Sequence, residues 1–105
     1  MSDLDLLLYR AEEIRQKYDE QAVKNGRAAW QAKDYALGFV TDVGDLMKLV
    51  LAKENVREVD DIDAKLKHEL SDCLWSILIL ANQYDIDLEK EFGNAMADIE
   101  RKIDV

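Results

Sequence analysis

Two acidic pairs carry the chemistry this sequence is equipped to do, Asp42-Val-Gly-Asp45 and Glu69-Leu-Ser-Asp72. Each is spaced i, i+3, which puts both carboxylates on one face of a helix. Each opens into apolar sequence: Leu46-Met47 with Leu49-Val50-Leu51 after the first, Cys73-Leu74-Trp75 after the second. Carboxylates are seldom buried unless paired or bound to metal. Asp42, Asp45, Glu69 and Asp72 facing one another across two apolar helices repel unless a cation sits between them. The chemistry that fits is an oxygen-lined divalent site for Mg²⁺ or Mn²⁺. Such ions take hard carboxylate ligands and keep waters or phosphate oxygens in their other positions. An ion so placed holds a phosphate chain, draws charge from phosphorus and activates a water. The plainer reading, solvated or capping charges, suits either pair alone better than both pairs embedded in apolar helices.

Other site chemistries fit less well. A di-iron bundle uses Glu-x-x-His pairs, and His68, the only histidine, follows no glutamate at that spacing. A zinc site lacks cysteines and histidines. No Gly-rich phosphate loop is present, and no Ser-His-Asp set can be assembled around His68 without special pleading. His68 reads as a partly exposed polar residue. Cys73, the only cysteine, has apolar neighbours and reads as a packed residue rather than a nucleophile.

The pairs must be positioned by helices, and the composition favours helix almost throughout: no proline and only four glycines. A first helix is capped by Ser2 or Asp3. Its apolar stripe is Leu4, Leu7, Leu8, Ala11, Ile14 and Tyr18, and it stops at Asn25-Gly26. Arg27 to Lys33 reads as loop or as a short turn carrying Trp30. That tryptophan is either a core or interface anchor or an aromatic wall for a base, depending on whether it lies near the acidic pairs. A second helix runs from a cap at Asp34 to about Lys53. It is apolar nearly all round, hence buried on several sides. Gly38, Asp42, Asp45 and Leu49 form one stripe of it. Gly44, costly in mid-helix by ~1 kcal/mol against alanine, reads as a point of close approach for another helix. Glu54 to Asp60 is a charged linker with Asn55 as helix stop. A third helix, capped by Asp60, Asp61 or Asp63, extends to about Tyr84 as the most buried element. Asp87 caps a final amphipathic helix carrying Leu88, Phe92, Ala95, Met96 and Ile99, with Arg101 and Lys102 at its end.

The expectation is one all-α domain over residues 1–105, a four-helix bundle-like fold. The second and third helices should be antiparallel neighbours with their acidic stripes opposed. The net charge of -9 argues against a nucleic-acid-binding surface. It still admits a nucleotide, because a divalent ion reverses the local field. The start of the chain, Met1 to Asp5, is acidic where a secretory signal is basic. The longest apolar stretch, Cys73 to Ala81, falls far short of the ~20 residues of a membrane span. The expected location is cytoplasmic, with no membrane partner.

Asp42-x-x-Asp45 followed by Glu69-x-x-Asp72 resembles the acidic signature of the all-α MazG-like nucleoside triphosphate pyrophosphohydrolases. In that family a Glu-Glu-x-x-Glu segment on one helix is followed by Glu-x-x-Asp on the next. The intervening Leu46 to His68 has the family's usual length. The likeness continues through the segment from Asp72 to Asn82 and Ile86-Asp-Leu-Glu89, so that it spans about Tyr35 to Phe92. The resemblance implies Mg²⁺-dependent attack of water at the α-phosphorus of a (deoxy)nucleoside triphosphate, releasing the monophosphate and pyrophosphate. It makes Asp42, Asp45, Glu69 and Asp72 the catalytic metal ligands, one of them helping to orient the water. Trp30 falls where members place base-contacting side chains. Lys53 is a candidate phosphate contact on charge alone. Assembly as a homodimer or homotetramer is also implied. The chain departs from the pattern at Thr41, in the place of the leading glutamate, and at Asp42 and Asp45, each one methylene shorter than glutamate. The family's lysine-rich tail is reduced to Arg101 and Lys102. These departures motivate an alternative: a catalytically weak or inactive helical module that binds metal, nucleotide or a protein partner.

Overall fold

The computed structural model describes residues 1–55 and 58–103. Four helices follow in order: α1 (Asp3–Lys24), α2 (Ala32–Lys53), α3 (Ile62–Gln83) and α4 (Leu88–Ile103). Of the linker expected from Glu54 to Asp60, residues 56 and 57 lie outside the described residues.

The helix ends are set by local chemistry. Ser2 and Asp5 form a reciprocal capping box: the Asp5 amide donates to Ser2 Oγ, and the Ser2 amide to the Asp5 carboxylate, both at 3.1 Å. Gly26, with φ +71, takes the chain out of α1. α2 begins earlier than the sequence suggests. Gln31 is its N-cap, and Asp34 lies three residues inside, where its carboxylate accepts from the Gln31 amide at 2.9 Å. An aspartate at that position satisfies the same kind of orphan donor as a cap, so the two placements look alike in sequence. Of the three aspartates that were candidate caps for α3, Asp61 holds the place, in a left-handed conformation and without a side-chain cap bond. Asn55, the expected stop of α2, is also left-handed, with φ 62. Asp87 behaves as expected, accepting from the Lys90 amide at 3.2 Å.

Three contacts fix how α2 meets α3. Lys53 pairs with Asp63, the Asp42 carboxyl meets Glu69, and the Tyr35 ring meets Trp75. As the residue number rises on one helix it falls on the other, so the pair is antiparallel. α1 packs on α3 through a core of Ala11, Tyr35, Leu78 and the fully buried Ile79. Two side-chain clips hold that packing. Trp75 Nε1 donates to the Ala11 carbonyl at 3.2 Å, and Asn82 Nδ2 lies 3.4 Å from the Leu8 carbonyl.

The protomer does not close into a four-helix bundle. α4 buries none of its residues, and Phe92, Met96, Ile99 and Ile103 all lie exposed along it. Nor is α2 buried on several sides within the protomer: Leu37, Val40, Val43, Met47 and Val50 form an exposed apolar stripe. The accessible surface is 8109 Å², where a compact monomer of this mass exposes about 6,000 Å². The radius of gyration is 16.7 Å, against about 13 Å for a compact domain of this length. Among the described residues, no helix is long and apolar enough to cross a membrane.

Candidate metal centre

Antiparallel packing brings three of the four carboxylates together. Oxygens of Asp42, Glu69 and Asp72 lie within 4.8 Å of one another, on the seam between α2 and α3. Glu69 is at the centre. Its Oε1 is buried, and no donor among the described residues reaches it. Burial raises the proton affinity of Glu69. The adjoining Asp42 carboxyl and the charges of Asp42, Asp72 and Asp45 raise it further. A buried acceptor without a donor, surrounded by like charges, is the arrangement a divalent cation relieves. The donors are all hard carboxylate oxygens, the set that Mg²⁺ or Mn²⁺ prefers. The residues present therefore fit such an ion.

Asp45 stands one turn farther along α2. It is half exposed and 4.0 Å from Lys48 Nζ, yet close enough for its charge to be felt at Glu69. The spacing argument treated the four acids alike; the crossing of the helices separates Asp45 from the other three. Thr41, in the place of the family's leading glutamate, turns its hydroxyl back toward the Leu37 carbonyl at 3.5 Å.

The acidic seam forms one wall of a cleft of about 660 Å³. Asp42 and Asp72 line it, and Trp30 lines it with them. Trp30 is 55% exposed, and its ring meets Tyr35 edge-on, with centroids 5.4 Å apart. The ring lies over Gly38, where a Cβ would meet it at 3.4 Å, an ordinary van der Waals contact. Tyr35 in turn meets Trp75 at 5.6 Å, and Trp75 meets Tyr18 at 5.8 Å. The aromatic wall is thus four rings deep. Sequence reasoning singled out only Trp30. The signal for two of the others lies in the spacing: Tyr35 stands seven residues before Asp42 and Trp75 three after Asp72, both on the acidic stripes.

Lys53 lies at the other end of α2, about 16 Å along the axis from Asp42 by helical rise. It donates to Asp63 at 2.6 Å and does not line the cleft. That contact lowers the proton affinity of Asp63, through the hydrogen bond first and the charge second. Among the described residues, the cation that lines the cleft is Arg27. Gly44 admits no neighbouring helix among the described residues, for a Cβ there meets nothing of them within 4 Å. Asp42 and Asp45 face α3, which turns Gly44 away from it. His68 is exposed, with Nε2 3.1 Å from Asp72 Oδ2.

Cys73 is buried directly behind the acids. Burial raises its thiol's proton affinity, and the charges of Asp42, Glu69 and Asp72 add to the effect. It should resist iodoacetamide at neutral pH in the folded protein and label fully in urea. Fast labelling of the native protein, read by mass, contradicts this placement.

Neither a curated protein nor a solved structure matches the chain. The family model of the MazG nucleotide pyrophosphohydrolase domain matches residues 42–104, more than half of the chain. That span begins at Asp42 and takes in Asp45, Glu69, Asp72 and α4, while the Trp30 and Tyr35 side of the cleft lies outside it. With the acidic seam between two antiparallel helices inside the matched span, the chain belongs to the MazG nucleotide pyrophosphohydrolase family.

Proposed function

We propose that the protein is a divalent-metal-dependent nucleoside triphosphate pyrophosphohydrolase, converting a (deoxy)nucleoside triphosphate and water to the monophosphate and pyrophosphate. The observation that carries this reading is Glu69: a buried carboxylate oxygen with no donor among the described residues, set against Asp42 and Asp72, which line the aromatic cleft. Asp42, Glu69 and Asp72 would hold Mg²⁺, or Mn²⁺ in its place. When bound, the ion supplies charge neutralisation at the phosphates and lowers the pKa of water. Trp30 gives the base a stacking surface, with Tyr35 and Trp75 as its rigid backing. The attacking water's oxygen bonds to the α-phosphorus as the bond from that phosphorus to the α–β bridging oxygen breaks, and pyrophosphate leaves. The proton released goes to solvent.

Self-association belongs to the same reading. The protomer exposes about 2,000 Å² more than a compact monomer of its mass. That is the order of surface a stable interface buries, and the stripes on α2 and α4 are its apolar parts. A homodimer or homotetramer follows.

The second reading, a module that binds without turnover, draws on Thr41 and on the outlying Asp45. One experiment separates the two: pyrophosphate release from a panel of ribo- and deoxynucleoside triphosphates, with Mg²⁺ and then Mn²⁺. Metal-dependent release supports the enzyme and ranks its substrates. Silence across the panel from folded protein overturns it in favour of the module.

A further inference from the structure

The acidic trio is a shared wall. On one side lies the aromatic cleft. On the other lies a second hollow of about 460 Å³, lined by Lys48, Lys65 and His68 with Asp45, Asp61 and Glu69. Along the seam the order is linear. Going down α2 come Tyr35, Gly38, Asp42, Asp45 and Lys48; coming up α3 opposite them are Trp75, Asp72, Glu69, His68 and Lys65. Aromatic, acidic and basic residues thus succeed one another turn by turn, and Lys48 lies about 9 Å beyond Asp42 by helical rise.

The lysines are available. Both are exposed. Among the described residues, Asp45 is the one carboxylate within 4.0 Å of Lys48. Lys65 has no carboxylate within 4.0 Å among the described residues. The hollow's acids nearly balance its cations, so alone it does not draw a polyanion. A divalent ion on the trio cancels the charge of Glu69, which leaves Lys48 and Lys65 facing only Asp45 and Asp61 and removes the hollow's net repulsion of a polyanion.

From this juxtaposition we infer that Lys48 and Lys65 bind the β- and γ-phosphates, the future pyrophosphate, and so set the polarity of the substrate along the seam. The base lies toward the N-terminal end of α2, and the leaving group toward its C-terminal end. This assignment rests on the pyrophosphohydrolase reading and adds its direction. The competing direction puts the phosphates beside Arg27, in the aromatic cleft.

Calorimetric binding at saturating Mg²⁺ tests it without turnover. The probes are inorganic pyrophosphate, a nucleoside monophosphate and the α,β-methylene analogue of a deoxynucleoside triphosphate. The K48A/K65A variant should bind pyrophosphate and the analogue roughly tenfold or more weakly and the monophosphate as wild type does. R27A should leave pyrophosphate binding intact. Pyrophosphate binding that survives K48A/K65A and is lost in R27A overturns the direction while leaving the enzymatic reading standing. A wild-type protein that binds none of the three probes overturns both. The substituted lysines are exposed, so the variants keep the fold, which circular dichroism checks.

Discussion

Glu69→Gln is expected to remove metal-dependent stabilisation and turnover together, while making the metal-free protein more stable. The sign follows from proton linkage. The folded environment raises the proton affinity of Glu69 above its ordinary value of 4.5. For a group shifted this way, the folded state binds more protons than the unfolded one between the two values, so stability falls as pH rises through that window. Above it, the charged Glu69 is a constant penalty that glutamine lacks. Below 4.5 both states are protonated and the penalty is gone. The difference between wild type and Glu69→Gln should therefore be small in acid and favour the variant at neutral pH. Measuring that difference isolates this group from the other carboxylates.

Magnesium should invert the order. A ligand at a hundred times its Kd stabilises the native state by about 2.7 kcal/mol, on the order of 10 °C in Tm for a domain of this size. Wild type should gain this, and Glu69→Gln little of it. In the same variant kcat/KM should drop at least roughly a hundredfold, equivalent to ~2.7 kcal/mol of transition-state stabilisation. Thermal unfolding with and without Mg²⁺ is the check. Equal gains for both proteins would place the ion elsewhere; no gain for either would remove the metal centre.

Trp30→Ala is the second large effect. Base–aromatic stacking contributes about 1–3 kcal/mol per base, so KM should rise roughly 5- to 150-fold. A stacked base is held alike in the ground and transition states, so kcat should change little. Trp30 is 55% exposed and stands before α2 begins, and its main packing contact is the Tyr35 edge. Its removal should cost little stability. If Trp30 is instead an interface anchor, the variant keeps its KM and changes its sedimentation coefficient. Steady-state kinetics and sedimentation velocity on one preparation distinguish the two.

Much of this architecture was legible in the residues themselves, because it is local. Ser2, Asn25-Gly26 and Asp87 end their helices through bonds and dihedrals that involve only a few neighbours. The i, i+3 spacing of the acids forces each pair onto one face whatever surrounds it, and a short connection makes α2 and α3 neighbours. That was enough to find the acidic cluster and the family. What it could not settle depends on how faces meet. Sequence alone presents Asp42 and Asp45 as equivalent, yet the angle and register of α2 against α3 bring one into contact with Glu69 and leave the other beside Lys48. Lys53 is one more lysine until the hairpin sets it against Asp63. Gly44 promises a close approach, and the packed face proves to be the other one. An apolar helix announces only that it needs covering. Tertiary structure decides which stripe the same chain covers, and here it leaves α4 and one side of α2 exposed. Helical periodicity is a property of one segment, whereas convergence of side chains from α2 and α3, and the hollows on either side of it, exist only once the segments are packed.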